Sequence, residues 1–379
     1  MQYDFIIIGA GASGLMLANT MGKDPFFEGK TILLLDKDVK QTNDRTWSFW
    51  EKEPSDFDSI VHKKWNRILV ASEGFEKHLS IAPYTYKTIR GIDFYSLMRS
   101  EIDLHTNISF IQETVNRIDQ NVQGVTVHTA DNTYKGKQGF TSIFDYKQAL
   151  SQQRYPVLQQ HFLGWFVQTA QPIFDATTAT FMDFSIPQKG NTRFMYVLPF
   201  STTEALVEYT LFSHTPLEKK EYEVALETYM KTHFNCTDYT IMEQEHGSIP
   251  MTCFDFAKDR TAQLLPIGVA GGWAKPSSGY AFKNIQKNVA LLVTHLKAGK
   301  ALTKFDPKTR FWYYDLLLLD VLDKHNYFGS AFFTALFKKR KPQLLFKFLN
   351  EETSFLEDLG VFSAPKAKFF LRALLKRIF

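Results

Sequence analysis

The chain has 379 residues, of which 44% are hydrophobic and 22% charged, a balance typical of a folded globular protein with at least one large core. Its net charge of +4 is too small for the dense basic face of a nucleic-acid-binding protein, so no nucleic-acid partner is expected. Two cysteines, Cys236 and Cys253, are too few for a disulfide framework or a zinc site. They predict reduced thiols in the cytoplasm and no metal site. Phenylalanine, with 35 residues, has about twice its usual share, which indicates that the fold accommodates something large and apolar.

Positive charge is concentrated at the C-terminal end of the chain. Residues 338–379 hold ten basic and four acidic side chains, a net charge of +6, so the preceding residues are slightly acidic. The N-terminus enters an apolar strand directly, without the cationic leader of a targeting segment. No run reaches the roughly 18 apolar residues that a membrane-spanning helix needs. We therefore expect a protein without a spanning segment.

The first 36 residues have the pattern of a βαβ unit with a phosphate-binding turn. An apolar, β-branched run at residues 5–8 is followed by Gly9, Gly11 and Gly14 and then by helical composition. Gly9 allows a tight turn, Gly11 lets backbone amides approach a pyrophosphate, and Gly14 permits close packing of helix on strand. A second apolar strand ends at Asp36, 22 residues after the last glycine, where an acid accepts hydrogen bonds from an adenosine ribose. An acid there favours FAD or NAD over NADP.

Further along, strand and helix patterns alternate until about residue 305, and the chain is helical beyond it. The expected strand regions are residues 68–81, 115–134, 140–145 and 162–210. The expected helices lie near residues 94–104, 217–234 and 278–296.

A second glycine-rich segment decides between FAD and NAD. Residues 265–282 read as a strand, a turn containing Gly268, Gly271 and Gly279, and the start of a helix. Alone, this is an ordinary β-turn-α connection. Together with the first motif it resembles the two-segment arrangement of the glutathione-reductase-like and hydroxylase-like flavoproteins, which implies FAD. Those families commonly place an aspartate after the strand's glycine to bind the ribityl chain, whereas this sequence has Val269.

The fold class that follows is α/β. We expect a Rossmann-like FAD-binding domain with an inserted antiparallel β-sheet substrate domain and a helical C-terminal region. The expected FAD-binding domain is discontinuous and covers residues 1–65, 90–150 and 250–300. The substrate domain is expected at residues 66–89 and 151–249, and the helical region at residues 301–379.

Seven short segments resemble the flavin-dependent lycopene cyclases of carotenoid biosynthesis. They occur in the family's order, and beyond about residue 300 the resemblance is only general. The segments are residues 43–50 (NDRTWSFW), 162–167 (FLGWFV), 174–175 (FD), 181–184 (FMDF), 194–200 (FMYVLPF), 205–210 (ALVEYT) and 275–280 (KPSSGY).

The resemblance implies β-cyclisation of lycopene through γ-carotene to β-carotene, without net redox change. It implies that FAD is needed in its reduced form, with NAD(P)H as the reductant, and that lycopene and other linear carotenes are the binding partners. It also implies that Glu208 is the general acid and base, although the strand pattern alone describes a solvated residue. Arg45 lies in a matched segment and is expected at the cofactor.

Four aromatic residues of the matched segments are candidate walls of the substrate pocket, with ordinary core packing as the alternative reading of each. They are Trp47, Trp165, Tyr196 and Trp273.

The C-terminal residues have the pattern of an amphipathic helix. Its apolar residues are Ala367, Phe370, Leu371, Leu374, Leu375 and Ile378. Its basic residues are Lys366, Lys368, Arg372, Lys376 and Arg377. Such a helix lies on an anionic membrane surface, or docks on the core with a solvated basic edge. The insolubility of lycopene favours the membrane, which predicts peripheral association with its cytoplasmic face.

Two other classes of function stay open at this stage. A related FAD-dependent isoprenoid reductase or monooxygenase would change the mass of its substrate. A non-catalytic, flavin-binding carotenoid carrier would yield no product. The sequence predicts no particular oligomeric state.

Overall fold

The structure, a computed structural model, describes residues 2–365 and 367–378. The strands in these residues are β1 (Gln2–Ile8), β2 (Ile32–Asp36), β3 (Thr46–Glu51), β4 (Val61–Trp65), β5 (Arg67–Ser72), β6 (Phe75–Ser80), β7 (Thr85–Arg90), β8 (Ile108–Gln112), β9 (Arg117–Asn121), β10 (Gly124–His128), β11 (Thr133–Thr141), β12 (Val157–Thr169), β13 (Thr178–Asp183), β14 (Thr192–Pro199), β15 (Glu204–Ser213), β16 (Tyr239–Thr252) and β17 (Leu264–Pro266).

The α-helices in these residues are α1 (Ala12–Lys23), α2 (Gly91–Ile102), α3 (Tyr146–Leu150), α4 (Lys219–His233), α5 (Phe282–Lys297), α6 (Arg310–His325), α7 (Gly329–Lys339), α8 (Pro342–Leu349), α9 (Phe355–Phe362) and α10 (Ala367–Ile378). Short 3-10 turns occur at Pro25–Phe27, Asp58–Ile60, Phe256–Asp259, Gly268–Gly271, Leu302–Lys304 and Asn326–Phe328. The Rossmann-like α/β class and the helical C-terminal region are confirmed.

The first sheet carries the nucleotide-binding pattern and has the strand order β8-β2-β1-β11-β10-β9, with β17 beside β11. β1, β2, β8, β11 and β17 are parallel, and the apolar residues of β1 are buried in a sheet covered on both faces. Helices α1, α2 and α5 cover one face. The carboxyl ends of β1, β11 and β17 share one edge, so the loops that follow them meet there.

The second sheet has seven strands in the order β16-β12-β15-β14-β13-β5-β6. Helix α4 packs against one face, through the cluster that contains Trp165 and Val207. The other face turns toward the first sheet and the C-terminal helices. All residues of β15 from Ala205 to Phe212 are buried, because the strand is central and covered on both faces.

A small third sheet, ordered β3-β7-β4, connects the two larger ones. Strand β7 therefore pairs with β3 and β4 and not with β5 or β6. The sequence-based prediction places residues 66–89 together in the substrate domain. The division of the chain into two domains stays a prediction.

The last five helices, α6 to α10, form a layer against the second sheet. Helix α10 docks through Phe369, Phe370 and Ala373, whose apolar cluster includes Phe328 and Phe332. Of the C-terminal residues singled out in the sequence, Lys366 lies outside the described residues. None of the helices described is both long and apolar enough to cross a membrane.

Candidate active site

The first glycine turn has the geometry that a dinucleotide phosphate requires. Gly9 has a φ of +99°, and a Cβ placed on Gly14 would lie 1.9 Å from the carbonyl oxygen of Gly9. Only glycine at residue 14 lets α1 begin this close to β1. A Cβ on Gly11 would meet nothing within 4 Å, so space is open where α1 presents its first backbone amides. This arrangement suits a pyrophosphate.

Asp36 ends β2 beside this turn. Its Oδ2 accepts a hydrogen bond from the backbone amide of Ala10 at 2.5 Å, and its Oδ1 accepts one from the amide of Asp38 at 2.8 Å. The carboxylate therefore braces the glycine turn. Its expected role toward a ribose stays a prediction.

The second glycine segment meets the first at Ser13. Gly268 has a φ of +60°, and a Cβ there would lie 2.5 Å from the Oγ of Ser13. Gly279 also has a positive φ, of +69°, and a Cβ there would lie 2.6 Å from the Oε1 of Gln160. The two segments, whose closest glycines, Gly14 and Gly268, are 254 residues apart in sequence, thus form one continuous wall.

A cavity of about 500 Å³ lies against this wall. Both glycine segments line it, together with β3 and with β12, β14, β15 and β16 of the second sheet. Gln160 Oε1 and Ser278 Oγ belong to lining residues and are buried without a hydrogen-bond partner among the described residues. Unpartnered buried polar atoms beside two glycine turns fit a polar, nucleotide-containing cofactor.

Two buried carboxyl groups face the same cavity. Glu208 is 8% exposed and Glu245 is 7% exposed, and both line it. The hydroxyl of Thr210 donates a short hydrogen bond to Glu208. The hydroxyl of Thr46 donates to Oε2 of Glu245 at 2.8 Å. Both carboxyl side chains are therefore largely shielded from bulk solvent although they line the cavity.

Burial controls the protonation of these carboxyls. Loss of hydration raises the pKa of Glu208 to about 8, and the negative charge of Glu245 adds to this increase. Loss of hydration likewise raises the pKa of Glu245 to about 7. At neutral pH the cavity thus holds a carboxylic acid that can give up a proton.

The sequence as a whole matches the lycopene cyclase protein family over residues 4–375. The chain belongs to the lycopene cyclase family. A lycopene beta-cyclase from Paracoccus sp. is 24% identical over 297 residues, covering 74% of this chain and 70% of that protein. A lycopene beta-cyclase from Pantoea ananas is 23% identical over 300 residues, covering 74% and 71% of the two chains.

The fold of this lycopene cyclase family member is also similar to that of solved structures with lower sequence identity. A geranylgeranyl bacteriochlorophyll reductase-like protein from Thermoplasma acidophilum superposes with a TM-score of 0.64 over 98% of both chains, at 11% identity. At that identity the likeness concerns the fold alone.

Four of the eight predicted cofactor residues line the main cavity. They are Gly11, Arg45, Gly268 and Gly279. Gly9, Gly14 and Asp36 are not among its lining residues, and they shape the first glycine turn from behind. Gly271 lines a separate cavity instead. A Cβ there would lie 2.5 Å from the carbonyl oxygen of Pro266, so glycine is needed at this position for the local backbone packing. Val269 lines the main cavity, so the position that commonly carries an aspartate does face it.

The four predicted pocket aromatics divide evenly. Trp47 and Tyr196 line the main cavity. Trp165 does not, because it follows Gly164 on β12 and alternation along a strand turns it to the opposite face, against α4. Trp273 does not either, because it packs in the core of the nucleotide-binding sheet and borders the cavity of Gly271. For these two residues the core-packing alternative is correct.

Glu208 is buried, so the reading of this residue as a solvated strand position is wrong. Because β15 is covered on both faces, side chains on either side of the strand are buried.

Several cavity residues were not predicted from the sequence. Glu245 is one, because it lies in a polar stretch of β16 that gave no signal. Tyr86 and Tyr280 are others, with the Tyr86 hydroxyl 2.6 Å from that of Tyr196. The KPSSGY segment was a usable signal for Tyr280, since it was already matched to the family.

Proposed function

We propose that this chain is an FAD-dependent lycopene beta-cyclase that forms β-rings by proton transfer without net redox change. The observation that carries the proposal is a buried carboxyl, Glu208, facing an aromatic cavity that also adjoins a dinucleotide-binding turn. Membership of the lycopene cyclase family and the names of its two relatives support the same substrate. Lycopene and other linear carotenes are the partners that follow.

FAD is the proposed cofactor, and the residues present fit it. The amides at the start of α1 and the open space at Gly11 would hold the pyrophosphate, and the turn of Gly268 and Gly279 would border the ring system. Arg45 lines the same cavity and is paired with Asp44 at 2.9 Å. A bound flavin, kept reduced by NAD(P)H, would supply negative charge that stabilises a nearby carbocation.

The chain's own residues perform the proton chemistry. Glu208 protonates a terminal double bond of the polyene, which is a weak base and needs a dry, protonated acid. The cation that results is attacked by a neighbouring double bond, and the ring closes. The faces of Trp47, Tyr86 and Tyr280 provide cation–π stabilisation. Burial raises the pKa of both tyrosines far above its usual value, so their hydroxyls remain neutral.

Expression in cells that accumulate lycopene tests the proposed activity. We expect lycopene to be replaced by β-carotene of identical mass, as shown by pigment chromatography and mass spectrometry. Persistence of lycopene beside folded, flavin-loaded protein contradicts the proposal. A product of altered mass identifies a reductase or monooxygenase, and tightly bound but unchanged lycopene identifies a carrier.

Peripheral binding to the cytoplasmic face of an anionic membrane is also proposed. Helix α10 leaves four apolar side chains exposed although its other side is docked, and exposed basic residues flank them. The apolar residues are Leu371, Leu374, Leu375 and Ile378, and the basic ones are Lys368, Arg372 and Lys376. This combination suits the boundary between headgroups and acyl chains.

An apolar cavity of about 90 Å³ runs inward from the start of α10 and supports the same proposal. Pro365 and Phe370 line it at this end. Phe181, Tyr280 and Phe333 line both this cavity and the main one. The two cavities thus share part of their lining, which supports a proposed path for the polyene between α10 and Glu208.

Replacing Leu371 and Leu375 together by glutamine is expected to weaken binding to phosphatidylglycerol vesicles at least tenfold, because each buried leucine contributes about 1.5–3 kcal/mol. Vesicle sedimentation measures the effect. The matched control replaces Leu104 and Val122, which are exposed elsewhere, by glutamine and should leave binding unchanged. Equal binding by both double variants contradicts the membrane role of α10.

A further inference from the structure

Glu208 and Glu245 form a cross-strand row with a glycine between them. Gly164 on β12 pairs with Glu208 on β15 at one side and with Glu245 on β16 at the other. Residues paired across neighbouring strands project to the same face of a sheet. A Cβ on Gly164 would lie 3.2 Å from Cγ of Glu245 and 3.5 Å from Cβ of Glu208. The Cδ1 of Leu206 would lie closer still, at 2.8 Å, so the side chains of both glutamates and of Leu206 meet over the glycine. The two glutamates thus flank one point of the sheet.

The surroundings of this row allow the two groups to hold one proton between them. Glu208 faces Tyr196 and Tyr280, whose hydroxyls stay neutral because burial raises their pKa far above its usual value. Glu245 faces Thr46, with the charges of Arg45 and Glu243 further out. Because the negative charge of Glu245 adds to the rise in the pKa of Glu208, ionising both buried carboxyls at once is unfavourable. One protonated and one ionised carboxyl is the favoured state, as in other carboxyl dyads.

The proposed reaction needs both members of such a pair. Ring closure adds one proton at the inner carbon of the terminal double bond and removes one proton from another ring carbon, so no net proton is consumed. The acid that has delivered its proton lies at the first of these carbons, whereas the proton to be removed lies on the second. A neighbouring buried carboxylate that lines the same cavity can accept it.

We propose that Glu245 is the second catalytic carboxyl, which accepts the ring proton and returns it to Glu208. This inference rests on the proposed cyclase function. The Glu208 O–H bond breaks as the terminal alkene takes the proton, and the neighbouring π-electron pair forms the new C–C bond. A ring C–H bond then breaks, its electrons form the ring double bond, and the proton goes to Glu245. Transfer from Glu245 to Glu208 restores the starting state without an oxidant or reductant.

The test compares purified, flavin-loaded Glu245→Gln and Glu208→Gln proteins acting on lycopene in phospholipid vesicles made in D₂O. We expect Glu245→Gln to form β-carotene about 10²-fold more slowly than the unaltered protein. Lycopene recovered from it should nevertheless contain deuterium, because Glu208 still protonates the alkene reversibly. Lycopene recovered from Glu208→Gln should contain none. Glu245→Asp, which keeps a carboxyl on a shorter side chain, should regain part of the activity.

Glu204→Gln is the matched control, since Glu204 lies on the strand of Glu208 but is exposed. It should match the unaltered protein. Near-normal activity of Glu245→Gln overturns the inference, as does a Glu245→Gln protein that loses deuterium exchange together with activity, which would mean that Glu245 only positions Glu208. Failure of the unaltered protein to make β-carotene refutes the proposed function instead. An inactive Glu208→Gln beside a fully active Glu245→Gln refutes only the present inference.

Discussion

Replacement of Glu208 by glutamine is expected to lower the rate of β-carotene formation by about 10²–10⁴-fold while the protein keeps its flavin. Glutamine has nearly the same shape and can still accept the hydrogen bond from Thr210, but it has no acidic proton to give. The rate is measured by pigment chromatography with lycopene in vesicles, and flavin content by absorbance. Rates above a tenth of normal would remove Glu208 from the acid role.

Glu204→Gln is the control for this variant, because Glu204 begins the same strand and is exposed. We expect it to be fully active. A loss of activity in both variants would indicate that β15 tolerates no change, and not that Glu208 is the acid.

The dependence of the reaction on pH follows from the burial of Glu208. Because its pKa is raised to about 8, the acid is protonated at neutral pH, and activity should fall as the pH rises above about 8. The stability of the fold should also fall as the pH rises, since the folded state binds this proton more tightly than the unfolded state does. The contribution of Glu208 to the free energy of unfolding therefore decreases as the pH rises from 4.5, the ordinary pKa of a glutamate, to about 8, its pKa in the folded protein. Glu208→Gln should remove that part of the pH dependence, as measured by urea unfolding at several pH values.

The nucleotide-binding half of the fold was predictable because its signals are local. The apolar run of β1, the three glycines and the acid at the end of β2 lie within 36 consecutive residues. Each residue meets a backbone requirement seen in the structure, such as the 1.9 Å that would separate a Cβ on Gly14 from the carbonyl oxygen of Gly9. The strand and helix that carry these residues are adjacent in sequence and pack against each other.

The candidate site was only partly predictable, since it depends on strand register. Trp165 and Glu208 both lie in matched segments, yet one faces α4 and the other the cavity. Glu245 comes beside Glu208 only through the pairing of both strands with Gly164, 44 and 81 residues away in sequence. No local pattern contains that information. Cross-strand pairs follow from the alignment of whole strands, which packing of the sheet fixes.

The C-terminal helix shows a similar limit. Its periodicity predicted one apolar face, for a membrane or for the core. The structure divides that face, because Phe370 packs on Phe332 with ring centroids 5.3 Å apart while Leu371 and Leu375 stay exposed. Arg377, counted as part of the basic face, binds Asp320 through two hydrogen bonds of 2.7 Å. Docking on the core thus accounts for one side of the helix, and the proposed membrane contact concerns only its exposed leucines.

Replacement of Asp315 by asparagine is expected to lower the free energy of unfolding by about 3–5 kcal/mol. Asp315 on α6 and Lys275 in the second glycine segment are each 2% exposed, and their charged atoms lie 3.0 Å apart. Without the carboxylate, the buried ammonium group keeps, among the described residues, only Glu351 as an acidic partner, at 3.5 Å. Equilibrium unfolding in urea measures the loss, and a decrease below about 1 kcal/mol would contradict the expected role of the pair.

Two controls separate the buried charge from general damage. Lys347→Gln breaks a half-exposed pair with Glu357 and should cost less than about 1 kcal/mol. Replacing Lys275 by methionine and Asp315 by leucine together should be much less destabilising than Asp315→Asn, because no uncompensated charge remains. Asp315 also accepts a hydrogen bond of 2.6 Å from Ser277, whose neighbours Ser278 and Gly279 line the main cavity. The double variant, which loses this bond, should therefore recover stability but bind flavin more weakly, since the ion pair fixes the turn that borders the proposed cofactor.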